Sequence, residues 1–169
     1  MKKNIRVGIL IWCGCFCARL ASQAICTDSI PLLAIQQTVG SVFGLWGGIF
    51  FSLTQFLATD IFTHNVGIWT IGVLGATLCA SLVVALNNKA TVSWWQPLVA
   101  VVVYDIITGL CMGPLLWNQP WLIACVGQIP HTALHLATTA IWWGVFHEKI
   151  EQSMHTSVGE TLTNKMRVE

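Results

Sequence analysis

Three ionisable side chains stand inside long apolar stretches of the sequence, where no water is available to solvate a charge. Asp105 interrupts the stretch 92–116, and His131 and His135 interrupt the stretch 121–146. A carboxylate or an imidazole in such a setting must face a partner or a cavity, and it commonly binds a ligand or an ion. Because His131 and His135 are four residues apart, they share one face of a helix. The pattern predicts a polar site shared by Asp105 and these histidines.

Other polar and aromatic residues extend this predicted site. Pro130 removes a backbone hydrogen bond beside His131, and irregular backbone inside a membrane is tolerated where it lines a cavity. A tryptophan at the mouth of such a cavity could stack on a flat ring. We therefore expect a substrate pocket lined by Trp69, Asp105, Thr108, Asn118, Gln128, His131 and His135. The alternative is a buried Asp–His hydrogen bond that only locks two helices together.

The two histidines also have the spacing of a metal-binding pair on a helix. However, Thr132 follows His131, so the HExxH pattern of metalloproteases is absent, and we assign no metal ligand and no cofactor here. The sequence also lacks the glycine-rich nucleotide-binding motifs, and we expect a protein that is not an enzyme. A membrane protein that binds a metal or haem through His131 and His135 is the alternative from a different functional class.

The composition indicates an integral membrane protein. Eight Lys and Arg and seven Asp and Glu make up only 9% of the 169 residues, whereas an average soluble domain carries about 25% charged residues. Hydrophobic residues reach 55%, and the mean hydropathy is +0.70. These values exclude a soluble globule, and a net charge of +1 without a basic patch excludes a nucleic-acid binder. We expect nearly the whole chain to lie in the cell (inner) membrane.

The apolar stretches predict six membrane-spanning helices. A spanning helix needs about 20 apolar residues, and the stretches 7–25, 67–86, 92–116 and 121–146 each meet this requirement. The stretch 30–62 is too long for one upright helix, since 33 residues would extend roughly 50 Å across a hydrocarbon core of about 30 Å. A break near Gly44 to Gly48 would divide it into short second and third helices. One strongly tilted helix, which gives five spans, is the alternative.

The distribution of basic residues favours six spans. With six, the basic residues of the N-terminus, of the loop that contains Lys89 and of the tail all lie on one side, while the opposite loops contain Asp28, Asp60 and His64. This is the positive-inside pattern, with both termini cytoplasmic. We therefore predict one transmembrane domain, 1–146, and a polar cytoplasmic tail, 147–169. Residues 1–24 could alternatively be a cleaved signal peptide.

Small residues recur at helix-packing intervals along the first span. Gly14 and Ala18 are four apart, and such residues let another helix approach closely in lipid. They could pack against the rest of the chain or against a second membrane protein.

Three segments resemble a known family. They are Tyr104–Gly109 (YDIITG), Gly127–His135 (GQIPHTALH), and the stretch from Ile30-Pro31-Leu32 to the glycine turn GLWGG at 44–48. They are similar to the substrate-binding S component of energy-coupling factor (ECF) vitamin transporters, although Gly109 and His131 replace Asn and Phe of the family pattern. The resemblance covers residues 7–146.

The resemblance implies a six-helix bundle that captures a vitamin or similar micronutrient on the outer side of the membrane. It also implies a shared transmembrane coupling protein and two ATPase subunits as partners, with the first helix docking on the coupling protein through Gly14, Ala18 and Ala21. A non-transporting assembly subunit of a membrane complex is the remaining alternative.

Overall fold

The chain folds into helices. A computed structural model of the chain describes residues 2–24, 31–85, 93–150 and 152, and within these ranges every regular element is helical, as the fold class predicted. The α-helices are α1 (Lys2–Ala24), α2 (Leu32–Phe62), α3 (Ile68–Ala85), α4 (Trp95–Asp105), α5 (Gly113–Trp117) and α6 (Trp121–Trp142). Two π-helical segments continue them, Ile106–Met112 between α4 and α5, and Trp143–His147 after α6.

Prolines mark the start of three helices. Pro31 stands at the N-cap of α2, Pro120 at the N-cap of α6, and Pro114 lies in the first turn of α5. The first backbone N–H groups of a helix have no partner inside the helix, so a residue without an N–H costs nothing there. Helix α4, the π-helical segment and α5 form one longer rod, and inside this rod Pro114 has no N–H to donate to the carbonyl of Leu110. The missing hydrogen bond lies at the end of the π-helical segment Ile106–Met112.

Helix α2 is broken at Gly44, inside the region where the sequence predicts a break. The backbone of Gly44 has φ 79° and ψ 168°, a conformation that is essentially limited to glycine. The two halves of α2 pack closely against each other at Gly48. A Cβ atom added to Gly48 would lie only 2.6 Å from the carbonyl oxygen of Gln36 and 3.1 Å from Cα of Gly40. Glycine at position 48 therefore permits this close backbone contact.

Two of the described helices are long and apolar enough to cross a membrane by length and composition. They are α2, with 31 residues, and the continuous rod Trp95–Trp117, with 23 residues; an 18-residue window within each reaches a mean hydropathy of 1.4 and 2.0, respectively. The segment Ile68–Leu82 of α3 is a shorter apolar helix. These lengths are compatible with membrane association of the chain.

Large apolar side chains are exposed on the surface, and polar side chains are buried beside an apolar core. The largest fully buried side chains include glutamines, whereas many large apolar side chains are at least 70% exposed, namely Leu10, Trp46, Phe50, Ile71, Leu115 and Leu122. The buried amides join the helices: Gln55 Nε2 donates to the carbonyl of Trp12 at 2.7 Å, and Gln36 Nε2 donates to Ser81 Oγ. Interhelical hydrogen bonds of this kind contribute to helix association in lipid.

The predicted loops and tail lie largely outside the described residues. The loops that contain Asp28 and Lys89 fall in 25–30 and 86–92, and most of the predicted tail falls in 153–169. His147, which the sequence pattern assigned to the tail, is helical and buried. Its Nδ1 lies 2.9 Å from Thr38 Oγ1, and its ring stacks on Trp143 with centroids 3.6 Å apart. The helical bundle therefore includes this residue.

Candidate functional site

Asp105 and His135 form a hydrogen-bonded pair between α4 and α6. Asp105 Oδ1 lies 3.0 Å from His135 Nδ1, and Asp105 is only 1% exposed. The other carboxylate oxygen, Oδ2, is buried and has no hydrogen-bond partner among the described residues. Asp105 thus fixes the orientation of the His135 ring, with Nε2 as the ring nitrogen that this bond does not use. One half of the carboxylate remains available for a cation or a donor.

His131 completes a cluster with this pair. Its ring centroid lies 5.2 Å from that of His135, one helical turn along α6, and the ring is exposed rather than buried. One ligand atom from each of Asp105, His131 and His135 can be chosen so that all three lie within 4.8 Å of one another. The sequence predicted that Asp105 and His131 meet. In the structure the direct hydrogen bond is to His135, with His131 beside it.

A cavity of about 620 Å³ opens beside the histidines. This volume lies in the usual range for sites that bind small molecules. Five of the seven predicted site residues line it, and Asp105 lies behind His135 and borders a second, largely apolar cavity of about 470 Å³. The lining residues that were predicted from the sequence are Trp69, Thr108, Gln128, His131 and His135.

A row of aromatic rings connects the histidines to Arg19. The Tyr104 ring lies 6.2 Å from His135 in an edge-to-face contact, and Phe56 stacks on Tyr104 at 5.7 Å. The Arg19 guanidinium carbon lies 4.1 Å from the centre of the Phe56 ring, which is a cation–π geometry. Arg19, Phe56, Tyr104 and His135 all line the cavity. The cavity therefore combines a cation, aromatic rings and an imidazole.

Asp60 brings a second carboxylate to the cavity wall. It is 9% exposed, and its Oδ2 accepts a hydrogen bond of 2.5 Å from Thr70 Oγ1. Asn65, in the connection between α2 and α3, lines the same cavity, and its backbone N–H donates to the carbonyl of Asp60 at 2.8 Å. The cavity thus adjoins the connection that the predicted topology places on the outer side.

The π-helical segment after Asp105 positions Gln128. A Cβ atom on Gly109, within this segment, would lie 1.8 Å from Gln128 Oε1, so only glycine leaves room for that amide. The Gln128 Nε2 in turn donates to Thr132 Oγ1 at 3.2 Å. Wider helical turns of this type occur frequently at functional sites. Thr108 lines the cavity while its hydroxyl donates to the carbonyl of Tyr104 at 2.9 Å.

We expect the variant Gly109→Ala to weaken ligand binding about tenfold with little loss of stability. The added methyl group would displace the flexible Gln128 amide, removing about one hydrogen bond to a ligand, which corresponds to roughly 1.4 kcal/mol. Binding to the purified protein measures the effect. The matched control is Gly144→Ala, because a Cβ at Gly144 meets no atom within 4 Å. Unchanged affinity in Gly109→Ala would contradict the role of Gln128.

Eight lining residues of the cavity were not predicted as site residues from the sequence, and four of them are charged or aromatic: Arg19, Phe56, Asp60 and Tyr104. Arg19 gave the clearest signal, since it is the one charged residue of its apolar stretch, and charges at such positions commonly face a cavity or a partner. The direction in which Arg19 points depends on how α1 packs against α2, which the pattern of one helix does not determine.

Asn118, like Asp105, is a predicted site residue that does not line this cavity. It lies exposed between α5 and α6 with a left-handed backbone, φ 55° and ψ 28°, which asparagine tolerates. The predicted docking residues Gly14, Ala18 and Ala21 are all exposed on α1. Gly14 and Ala18 border a shallow apolar groove of about 390 Å³.

No protein-family model, curated protein or solved structure matches this chain. The class of protein therefore has to be inferred from the site and from the fold.

Proposed function

We propose that the chain is the substrate-capture subunit of an ECF-type transporter, binding a vitamin or a similar micronutrient in a cavity inside the membrane. The observation that carries this proposal is the cavity of about 620 Å³ that Arg19, Asp60, Gln128 and His131 line together with aromatic side chains. Polar and charged groups that converge on one space inside an apolar fold commonly mark a binding site. A small polar molecule with a ring fits both the size and the lining.

The proposed function requires a membrane-embedded bundle of six short-looped helices, and several features of the chain support such a bundle. The break at Gly44 allows α2 to act as two short spans, and the exposed surface is rich in large apolar side chains that suit contact with lipid. The positive-inside pattern then favours cytoplasmic termini. The cavity adjoins the connection between α2 and α3, which this topology assigns to the outer side. Access from outside is what an uptake protein needs.

The proposal includes partners that supply energy. The sequence contains no nucleotide-binding motif, so ATP hydrolysis must come from two separate ATPase subunits through a shared transmembrane coupling protein. The small and exposed residues Gly14, Ala18 and Ala21 of α1 are the proposed docking face. A Cβ atom on Gly14 would meet no atom within 4 Å, so this face is open to the close approach of another helix.

A panel of candidate ligands tests the proposed function. Purified protein in detergent is mixed with B vitamins, biotin and modified nucleobases, and its unfolding temperature is followed by the fluorescence of its nine tryptophans. A ligand present at 100 times its Kd stabilises by about 2.7 kcal/mol. We expect one chemical group of compounds to raise the unfolding temperature of the wild type and not of His131→Ala. A flat response to the whole panel would favour an assembly subunit instead.

A further inference from the structure

Carboxylates outnumber the permanently cationic side chains around the cavity. Two carboxylates, Asp60 and Asp105, lie at the cavity or directly behind it, and Arg19 is the one guanidinium or ammonium group among the described lining residues. A carboxylate buried in an apolar fold is costly unless it is hydrogen-bonded or paired, and His135 contacts only one of the two oxygens of Asp105. Asp105 is the more demanding of the two, since it is 1% exposed and one of its oxygens accepts no hydrogen bond. Something positive beside Asp105 would complete the site.

The side chains next to Asp105 are those that bind transition metals. Imidazole nitrogens and a carboxylate oxygen are the usual protein ligands of Zn²⁺, Co²⁺ and Ni²⁺, whereas Mg²⁺ and Ca²⁺ prefer oxygen alone. His131 and His135 lie one turn apart on α6, and Asp105 approaches them from α4. Two neighbouring helices therefore present three ligands of the right type to one point.

The distances are compatible with coordination after small side-chain movements. The ligand atoms lie within 4.8 Å of one another. Ligands bound at about 2.1 Å around one ion are separated by roughly 3–3.5 Å, so shifts of about 1 Å would be enough. His131 is exposed to the cavity and can make such a shift by rotating its side chain. Pro130, immediately before it, also loosens the helix by removing one backbone hydrogen bond.

We propose that Asp105, His131 and His135 bind one divalent transition-metal ion of the Zn²⁺, Co²⁺ or Ni²⁺ type. Three protein ligands leave at least one coordination position open, as in sites where the metal binds a further molecule. That position faces the cavity, because His131 and His135 line it. The inference goes beyond the proposed function, since it concerns a metal ion that would bind whether or not an organic micronutrient is captured.

Metal titration tests this inference. The full-length protein, purified in detergent and stripped with EDTA, is titrated with Co²⁺ while its visible absorption is followed, and Zn²⁺ is then added as a competitor. We expect saturable absorption bands with one Co²⁺ per chain, which Zn²⁺ removes. His131→Ala and His135→Ala should each weaken Co²⁺ binding at least about hundredfold. Saturable binding that is unchanged in both variants, or the absence of saturable binding to the wild type, would overturn the proposal.

The control is His64→Asn. His64 lies exposed outside the cavity with φ 56°, a backbone that asparagine tolerates, so this variant removes an imidazole without affecting the site. We expect it to bind Co²⁺ like the wild type. His131→Gln is the second variant at the site, in case His131→Ala unfolds. If His64→Asn loses the metal while His131→Gln keeps it, the ion binds elsewhere and the proposal is wrong.

One further experiment on the same protein distinguishes failure of the proposed metal site from failure of the proposed substrate capture. The panel of organic compounds is repeated in excess EDTA and with added Zn²⁺. A compound that stabilises the protein equally in both conditions, together with a flat Co²⁺ titration, overturns the metal site and leaves substrate capture standing. Saturable Co²⁺ binding together with a flat organic panel supports the metal site and contradicts capture of an organic micronutrient.

Discussion

Replacing Asp105 by asparagine will abolish ligand binding in the cavity while the fold is retained. Asn has nearly the same shape as Asp, and its Oδ1 can still accept the hydrogen bond of 3.0 Å from His135. The substitution removes the charge, and with it the counterpart for a cation beside His131, and it replaces the accepting Oδ2 by an amide group that donates. Loss of one member of a buried charged pair typically costs about 2–5 kcal/mol of binding free energy, so we expect the affinity to fall at least about hundredfold.

The unfolding temperature of the ligand-free Asp105→Asn variant should move in the opposite direction. The wild-type carboxylate is buried, and its Oδ2 has no hydrogen-bond partner in the described part of the chain. An ionised carboxylate that is not fully compensated pays a large desolvation cost on burial, and a neutral amide pays much less. We therefore expect an unchanged or raised unfolding temperature together with lost binding. This combination distinguishes a ligand site from a hydrogen bond that only locks α4 to α6.

The matched control for this substitution is Glu148→Gln. It makes the same chemical change, carboxylate to amide, at an exposed position after the π-helical segment Trp143–His147. Both the affinity and the unfolding temperature should stay at their wild-type values. If Asp105→Asn binds ligand as tightly as Glu148→Gln does, the charge of Asp105 has no part in binding.

Replacing Gly48 by alanine will give the largest loss of stability. The added Cβ would lie 2.6 Å from the carbonyl oxygen of Gln36 and 3.1 Å from Cα of Gly40, and both of these are backbone atoms that cannot rotate away. The two halves of α2 must then separate, which disturbs the buried run Leu32–Val39. Overpacking of this kind costs about 1–3 kcal/mol, and we expect the unfolding temperature to fall by roughly 2–12 °C.

The control for Gly48→Ala is Gly75→Ala. Gly75 is also helical, in α3, and a Cβ there would meet no atom within 4 Å. Since alanine is the better helix former, by about 1 kcal/mol, this variant should be as stable as the wild type or more stable. Equal unfolding temperatures for the two variants would show that the two halves of α2 do not pack as closely as the structure has them.

The break in α2 could be predicted from the sequence because its cause is local. A continuous helix of 33 residues exceeds the hydrocarbon thickness, and glycine is the residue that permits the backbone conformation found at Gly44. The same reasoning from single residues identified Asp105, His131 and His135, since ionisable groups in apolar stretches are costly wherever the helices point. Types and spacing of residues were sufficient to predict the break and to predict that these three side chains lie together.

The particular pairing within the site could not be predicted. The sequence predicted a site that Asp105 shares with both histidines, but it did not show that the hydrogen bond is to His135 rather than to His131, one turn away along α6. One turn corresponds to about 5.4 Å, which a modest helix tilt introduces. The tilt of a helix is set by its packing against other helices, so it cannot be predicted from the sequence of that helix alone.

The opposite end of the cavity was missed for the same reason. Arg19 reaches the site only because α1 packs so that its guanidinium lies on the Phe56 ring, and Phe56 lies there because it stacks on Tyr104 of α4. Each of these contacts joins residues far apart in the chain. Asn118 was predicted to line the site because it lies in the sequence between the two stretches that form it. It does not lie in the cavity wall, since nearness in sequence does not determine which way a side chain faces.

Intact-mass measurement of the purified protein tests the existence of a ligand most directly. A complex of nanomolar affinity dissociates slowly enough to survive purification, and the mass of the adduct itself then reports which compound is bound. Wild-type protein and the His131→Ala variant are incubated with the panel of compounds. Each protein is then released from detergent in the mass spectrometer, and the mass of the intact chain with any bound compound is measured. We expect one bound small molecule per wild-type chain and none on His131→Ala. Wild-type protein that carries no small molecule, or the same adduct on both chains, would contradict a ligand-binding cavity at these residues.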